Sequence, residues 1–342
     1  MKLHANVVGK IAVFRALQLG DMLCAVPAFR ALRQAYPGAD ICLVGLPWAQ
    51  AFVNRFDSYF NRFIAFPGYP GLPEQEYQPQ TVVNFIGSMQ QERFDLVIQM
   101  QGNGSYVNPL TELFAGKHLA GYYRKEEYCP DRDLFMLYPD YGSEIERHLM
   151  LMNHLGIKET SSDLEFPLKE EDFLSFDKVN PVNPDDQYVC VHPGSRGAWR
   201  QWPPKYFAEI ADYCYQQDYK IIITGTETEK PLASEVQALM KYPAINLAGK
   251  TTLGTMAVLI SKAAMLISNC TGVSHMAAAF KTPSIVISMD GEPDRWAPLN
   301  TSIHKTTNWL KTPDYQIVLD NTRFLIRQIK HTGLPEAMKT SR

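Results

Sequence analysis

Short apolar, β-branched runs alternate with helical patterns along almost the whole chain, and this alternation restricts the possible folds more than any other feature. Residues 11–14, 41–44 and 95–99 read as strands in the first half. Residues 188–191, 220–224, 244–247, 264–267 and 284–288 do so in the second. Between them, apolar residues return every three or four positions, the period of a helix with one buried face. Examples are 21–35, which Pro27 is expected to kink, 144–155, closed by Gly156, and 204–217. Strands joined by helices pair in parallel, and a parallel sheet needs helices on both faces. The expected class is α/β. Residues 157–187 break the rhythm, being acidic, weakly periodic and punctuated by Pro167, Pro181 and Pro184. A chain of 342 residues suits two domains. The expectation is two Rossmann-like parallel-sheet domains facing a cleft, at 1–175 and 185–318. Residues 319–342 would hold a final helix, 320–329, packed back on the first domain, and a polar tail from 331.

Three turns at the ends of second-half strands carry the chemistry. Residues 263–267 form an apolar run followed by Ser268-Asn269-Cys270-Thr271-Gly272-Val273-Ser274-His275, after which Met276, Ala277 and Phe280 continue at helical spacing. The helix is expected to begin at Thr271-Gly272, with Thr271 as N-cap. Its first amides and partial positive charge suit an anion, and small residues permit close approach. Val189-Cys190-Val191-His192-Pro193-Gly194-Ser195-Arg196, then Arg200-Gln201-Trp202-Pro203-Pro204, repeats the pattern with two arginines. Ile221-Ile222-Ile223-Thr224-Gly225-Thr226 leads toward Glu229. In open α/β sheets ligands bind at the strands' C-terminal edge, and amides with arginine charge there suit a diphosphate.

These strings, H-P-G-S-R…R-Q-W-P-P, T-G-T-E-T-E and S-N-C-T-G-V-S-H-M-A-A-A, with L-Q-L-G-D-M-L-C-A-V-P-A-F-R-A-L-R near the start, resemble glycosyltransferase family nine, the ADP-heptose:lipopolysaccharide heptosyltransferases. The likeness runs over residues 9–300. It implies the GT-B fold and an inverting, metal-independent transfer of a sugar from a nucleotide diphosphate donor, ADP-linked by analogy. The acceptor would be a cell-envelope glycan or lipopolysaccharide core. Asp21, in the G-D pair, falls on the family's catalytic base; taken alone, an Asp after Gly before a helix reads first as an N-cap. Arg200 falls where the family has a basic residue before W-P and would hold the leaving diphosphate, with Arg196 as the alternative and Ser195 donating to phosphate. Thr271 and Gly272 would bind phosphate through their amides, and His275, one turn on, would face the same way. Glu229 matches the ribose-binding position, in the turn of Gly225 and Thr226. The backbone around Thr251 would meet the base. Where the family has Asp, this chain has Cys270, a neutral and poor acceptor. That leaves the donor sugar open, as well as the choice between a reactive thiol at a helix start and a packed core thiol.

On the acceptor side, Gln101, Asn103 and Ser105 follow a strand and offer hydrogen bonds to sugar hydroxyls; Arg124 suits an acidic group and Tyr122 a sugar face. The aromatic segment 52–66 reads as core or as a face toward a lipid-linked acceptor. Asp131-Arg132-Asp133 has a D-x-D form, but it lies far from the phosphate turns. No metal or other cofactor is expected, since Arg200 and a helix start would supply the positive charge.

The net charge of −3 with no basic stripe argues against nucleic acid as a partner. The six cysteines form no C-x-x-C pair and read as reduced thiols. The apolar stretch 7–29 is broken by Lys10, Arg15 and Asp21 and cannot span a bilayer; it is not expected to act as a signal peptide. The expected location is cytoplasmic, with peripheral contact at the inner membrane where the acceptor is lipid-borne. Two rivals are a nucleotide-sugar 2-epimerase and a catalytically degenerate nucleotide-sugar-binding protein marked by Cys270.

Overall fold

The computed structural model describes residues 2–158, 161–179, 182–183 and 186–332. The expected tail, beyond residue 332, lies outside them. The chain divides into two units after Ser162.

The first unit runs β1 (Lys10–Phe14), α1 (Leu19–Cys24), α2 (Val26–Ala35), β2 (Asp40–Gly45), α3 (Ala49–Arg55), β3 (Arg62–Ala65), α4 (Pro79–Glu92), β4 (Leu96–Gln99), α5 (Val107–Glu112), β5 (His118–Tyr123), β6 (Phe135–Leu137) and α6 (Glu144–His154). Its six strands pair in parallel in the order β3-β2-β1-β4-β5-β6. The single helix expected at 21–35 is two. Pro27 cannot donate to the carbonyl four residues back and would crowd it. The chain therefore breaks at Ala25 and restarts with Pro27 in the first turn of α2, where proline is favoured. α6 begins in a Ser143–Glu146 capping box, and Gly156 follows it at φ 76°. The aromatic segment 52–66 proves to be core: Phe52, Phe56, Phe60 and Phe66 are buried, and Phe52 stacks on Phe56 at 4.3 Å.

The second unit runs α7 (Glu170–Val179), β7 (Tyr188–His192), α8 (Pro204–Tyr215), β8 (Lys220–Ile223), α9 (Lys230–Leu239), β9 (Ile245–Asn246), α10 (Leu253–Lys262), β10 (Met265–Asn269), α11 (Gly272–Ala279), β11 (Ser284–Ser288), α12 (Pro293–Trp296), β12 (His304–Asn308) and α13 (Tyr315–Thr332). The sheet order is β12-β11-β10-β7-β8-β9, again all parallel. The sequence reading kept residues up to 175 with the first domain. The structure groups 163–175 with the second, because α7 packs on α10, with Lys262 over the rings of Phe173 and Phe176. α13 contains the expected helix 320–329; its buried face, Val318, Leu325, Ile326 and Ile329, joins the core of the second unit against α8, β11 and β12.

Counted within each unit, both sheets have the strand order 3-2-1-4-5-6. The order therefore reverses between β1 and β4 in one and between β7 and β10 in the other. At such a reversal neighbouring loops part and leave room for a ligand at the strands' C-terminal edge.

Candidate active site

In the first unit, the loop after β1 carries Arg15 and then α1. Arg15 is fully buried. Its Nε and NH2 donate to the carbonyl of Asp21 at 3.1 and 2.7 Å, and NH1 donates to the carbonyl of Met100. NH2 also lies 3.3 Å from Glu144 Oε1. Glu144 in turn meets His148 at 3.3 Å and Arg147 at 3.8 Å. Tyr122 OH donates to the Arg147 carbonyl at 2.9 Å. One arginine thus ties the backbone at Asp21 to the loop after β4, across the reversal point, and anchors both on α6. Asp21 is half-buried in the first turn of α1, three residues past the N-cap, which is Gln18. The N-cap alternative for Asp21 falls away.

The acceptor candidates divide. Gln101 is buried, its Oε1 accepting from Ala16 N–H at 2.7 Å and its Nε2 reaching the Ala16 carbonyl at 3.4 Å. It braces the two loops, so its amide is already engaged. Tyr122 is 1% exposed between Tyr138 and His148, so it presents no face to a sugar. Asn103 is half-buried and turns the loop, its Oδ1 accepting from Ser105 N–H and Oγ–H at 3.1 and 2.9 Å. Arg124 is exposed, 3.9 Å from Glu127. Gly104 must be glycine: at φ 93° a Cβ would lie 2.2 Å from the Tyr122 carbonyl. Asp131 Oδ1 accepts from the amides of Asp133 and Leu134 at 2.7 and 3.0 Å, a turn-forming role. Among the described residues no three His, Cys, Asp or Glu side chains gather as a metal would require.

In the second unit, Asn269, at the end of β10, bridges the reversal point. Its Nδ2 donates to the carbonyls of Pro193 and Gly194 at 2.7 and 3.3 Å, and its Oδ1 accepts from Trp202 N–H at 2.9 Å. The chain between these anchors carries Ser195, buried; Arg196, exposed; and a short 3₁₀ turn, Ala198–Arg200. Arg200 projects from that turn, its guanidinium over the Trp199 ring at 5.5 Å and its NH2 paired with Asp290 Oδ2. Its partner is thus a carboxylate two residues past β11, its side chain buried.

Thr271 is the N-cap of α11, as expected, but its side chain makes no capping bond. Its carbonyl accepts from Ser274 N–H and Oγ–H at 3.0 and 2.7 Å. The start of α11, at Gly272, is therefore not closed by its own N-cap side chain. Cys270 lies just before it, buried, with Sγ 3.5 Å from the Trp296 carbonyl. Burial pushes its thiol up to about 12, with Asp290 adding and Arg200 opposing. This is a packed thiol, and the reactive alternative falls away. His275 is buried, and its electrostatic neighbour is His304, whose ring burial holds down at about 4.

Glu229 closes a capping box with Thr226: its Oε2 accepts from Thr226 N–H and Oγ–H at 2.8 and 2.9 Å. Its Oε1 takes no hydrogen bond from the described residues. Gly194 permits this carboxylate to sit where it does, since a Cβ there would lie 2.2 Å from it. His192 Nδ1 lies 3.0 Å from Thr224 Oγ1 on the far side. Gly225 accepts from Gly249 N–H at 2.9 Å, tying the β8 loop to the turn before Thr251, which is half-buried. Ser195, Arg200, Glu229, Cys270, Thr271 and Gly272 thus stand on adjoining loops at one sheet edge. Sequence reasoning missed Asn269, Asp290 and Arg15. Asn269 lies inside one of the three turns singled out, Asp290 follows β11 by two residues, and Arg15 is a charge inside an otherwise apolar stretch.

The profile of "Glycosyltransferase family 9 (heptosyltransferase)" matches residues 82–321. The chain belongs to this family. Lipopolysaccharide heptosyltransferase 2 of Escherichia coli K12 is 25% identical over 85% of this chain and 86% of its own length. Among solved structures, a glycosyl transferase family 9 protein from Veillonella parvula superposes with a TM-score of 0.78 at 17% identity, over 96% of this chain and 99% of that one. E. coli ADP-heptose LPS heptosyltransferase II does so at 0.75 and 20%, over 94% and 99%. The fold is GT-B, and the protein is a family 9 glycosyltransferase. No helix among its described residues is long and apolar enough to cross a membrane.

Proposed function

We propose that this family 9 enzyme moves heptose or a similar sugar from an ADP-linked donor to a lipopolysaccharide-core or related envelope glycan, with inversion and without a metal. The observation that carries this reading is that the Arg200 charge acts on Cys270, the residue just before the uncapped start of α11, at the reversal point of the second sheet. Leaving of a diphosphate develops negative charge, and a guanidinium with helix amides stabilises it without a cation. Ser195 donates to the same phosphates. Glu229 Oε1 accepts from ribose hydroxyls, and the backbone near Thr251 meets the base. Asp21 takes the proton of the attacking hydroxyl. One carboxylate base with no covalent intermediate gives a single displacement, and so inversion. Asn103 and Arg124 line the acceptor side. With a lipid-borne acceptor, the enzyme works at the cytoplasmic membrane surface as a peripheral protein.

The test is a thermal-shift panel of nucleotide diphosphates and nucleotide sugars, with and without EDTA, on wild type and Arg200→Ala. A shift with ADP-linked ligands, unchanged by EDTA and reduced in Arg200→Ala, supports the donor site. A shift that vanishes with EDTA overturns metal independence. No shift with any nucleotide overturns the donor assignment. Asp21→Asn should abolish transfer while keeping the shift; the anomeric configuration of the wild-type product, read by NMR, decides inversion.

A further inference from the structure

We infer that Asp290 is a positioning residue for Arg200: it fixes one edge of the guanidinium so that the other meets the donor diphosphate. This rests on the donor-site reading of Arg200 given above. Asp290 lies two residues past β11 with its carboxylate 7% exposed. The two oxygens have separate duties. Oδ1 accepts from Ser288 Oγ–H at 2.8 Å and Glu292 N–H at 3.2 Å, which pins the carboxylate to its own loop. Oδ2 is left to face Arg200 NH2. Burial alone would raise this carboxyl, but the hydrogen bonds from Ser288 and Glu292 and the Arg200 charge outweigh it and hold it below the ordinary range. The group stays ionised through neutral pH.

Arg200 needs such a partner. It stands on a single 3₁₀ turn, held there by its own N–H to the Gly197 carbonyl at 2.9 Å, and its side chain is 31% exposed. A long side chain on a short turn samples many rotamers, and an unanchored guanidinium loses that freedom only on binding. With NH2 held by Asp290 and the plane resting over Trp199, the guanidinium is oriented beforehand. Nε and NH1 donate no hydrogen bond to the described residues. NH2 keeps a second N–H, and the edge it forms with Nε or NH1 on the side away from Asp290 is the fork that a pair of phosphate oxygens would fill. Cys270 adds no charge beside this pair. A carboxylate at 270 would compete with Asp290 for the same guanidinium.

The experiment is a thermodynamic cycle in the full-length protein, with ADP as probe and calorimetric Kd as readout, alongside donor KM and kcat. The variants are Asp290→Asn, Arg200→Ala and the double. Asn keeps the size of Asp and can still accept at Oδ1. Asp290→Ala serves as a second test, and ligand-free melting confirms that each variant is folded. Asp290→Asn is expected to weaken ADP about tenfold and to raise donor KM, yet to add nothing in the Arg200→Ala background, because its effect runs through Arg200. Equal weakening in both backgrounds would reveal a merely structural role and overturn the inference. So would wild-type affinity in Asp290→Asn and Asp290→Ala while Arg200→Ala is weak; in that case the donor site stands and this inference alone fails. If Arg200→Ala binds ADP like wild type, the donor reading falls and takes this inference with it.

Discussion

Replacing Arg15 by methionine removes a guanidinium that ties the Asp21 loop, the loop after β4 and α6 together. The fully buried guanidinium serves the carbonyls of Asp21, half-buried, and Met100, buried, and lies against Glu144. The two stranded carbonyls cost about 1 kcal/mol each at the low end of the usual range. Removing one member of a buried ion pair costs about 3–5 kcal/mol. Glu144 retains His148 and Arg147, so the lower figure applies. Relaxation recovers part of the sum, leaving a loss of about 4 kcal/mol, a large share of the roughly 5–15 kcal/mol typical of a domain. That loss raises opening of the first unit by about a thousandfold. Hydrogen exchange read by mass spectrometry detects this locally. Met22 N–H, bonded to the Gln18 carbonyl at 3.0 Å, reports on α1. Peptides covering α1 and residues 100–104 should lose protection, while those of β7, β10 and α11 keep it. Adding Glu144→Gln should restore part of the loss, because the uncompensated charge is gone. Exchange in α1 within about tenfold of wild type would mean a loss below about 1.4 kcal/mol, and the bracing role would be refuted. Equal loss of protection over both units would refute it as well.

Other expectations follow from the same geometry. With its thiol near 12 against an ordinary 9.0, Cys270 should react with iodoacetamide about a thousandfold more slowly than a free thiol at pH 8. Half-exposed Cys129 should label first among the cysteines, and rapid labelling of Cys270 by peptide mapping would contradict its packing. His304 has its ring held at about 4 in the folded protein against 6.5 when unfolded. The unfolded chain therefore binds the proton first, and stability present above pH 6.5 is lost as pH falls toward 4, by about 3 kcal/mol. His304→Gln should flatten the fall in melting temperature of the second unit between pH 7 and 4.5, and an unchanged slope would rule the histidine out. Gly194→Ala places a methyl on the Glu229 carboxylate. It should displace Glu229, open the Thr226 capping box at about 1 kcal/mol, and raise donor KM more than it lowers kcat. Wild-type donor KM in a folded Gly194→Ala would show that Glu229 does not touch the donor.

The central strands were legible because strands covered on both faces read as near-continuous apolar runs, as in K-I-A-V-F of β1 and Y-V-C-V-H of β7. Most edges were not. β12, H-K-T-T-N, is partly exposed and polar, and β6 is three residues long, whereas β9, only two residues, falls inside the apolar run read at 244–247. The turn after β7 announced itself by composition, since glycine, serine and arginine stand together after a strand. Arg15 and Asn269 could not be found that way. Their partners lie 85 and 76 residues away, and the requirement they meet, an unpaired carbonyl on another loop, leaves no local pattern. Tyr122 and Gln101 show the opposite failure. Their side chains suit a sugar, but burial has already assigned them to Arg147 and Ala16.

The shared strand order has a consequence for how such an enzyme can diversify. Each unit completes its own reversal point with its own brace, Arg15 in one and Asn269 in the other, and neither brace draws on a residue of the other unit for the bonds described. The residues before Asp21 and the stretch 100–106 form one inheritable cassette, and the loops after β7 and β10 form another. On the donor and acceptor assignment proposed above, substitutions that retune what receives the sugar can accumulate in the first cassette while nucleotide recognition stays under separate selection in the second. On that assignment, chimaeras that exchange the whole first cassette together with its brace are the ones expected to retain donor affinity.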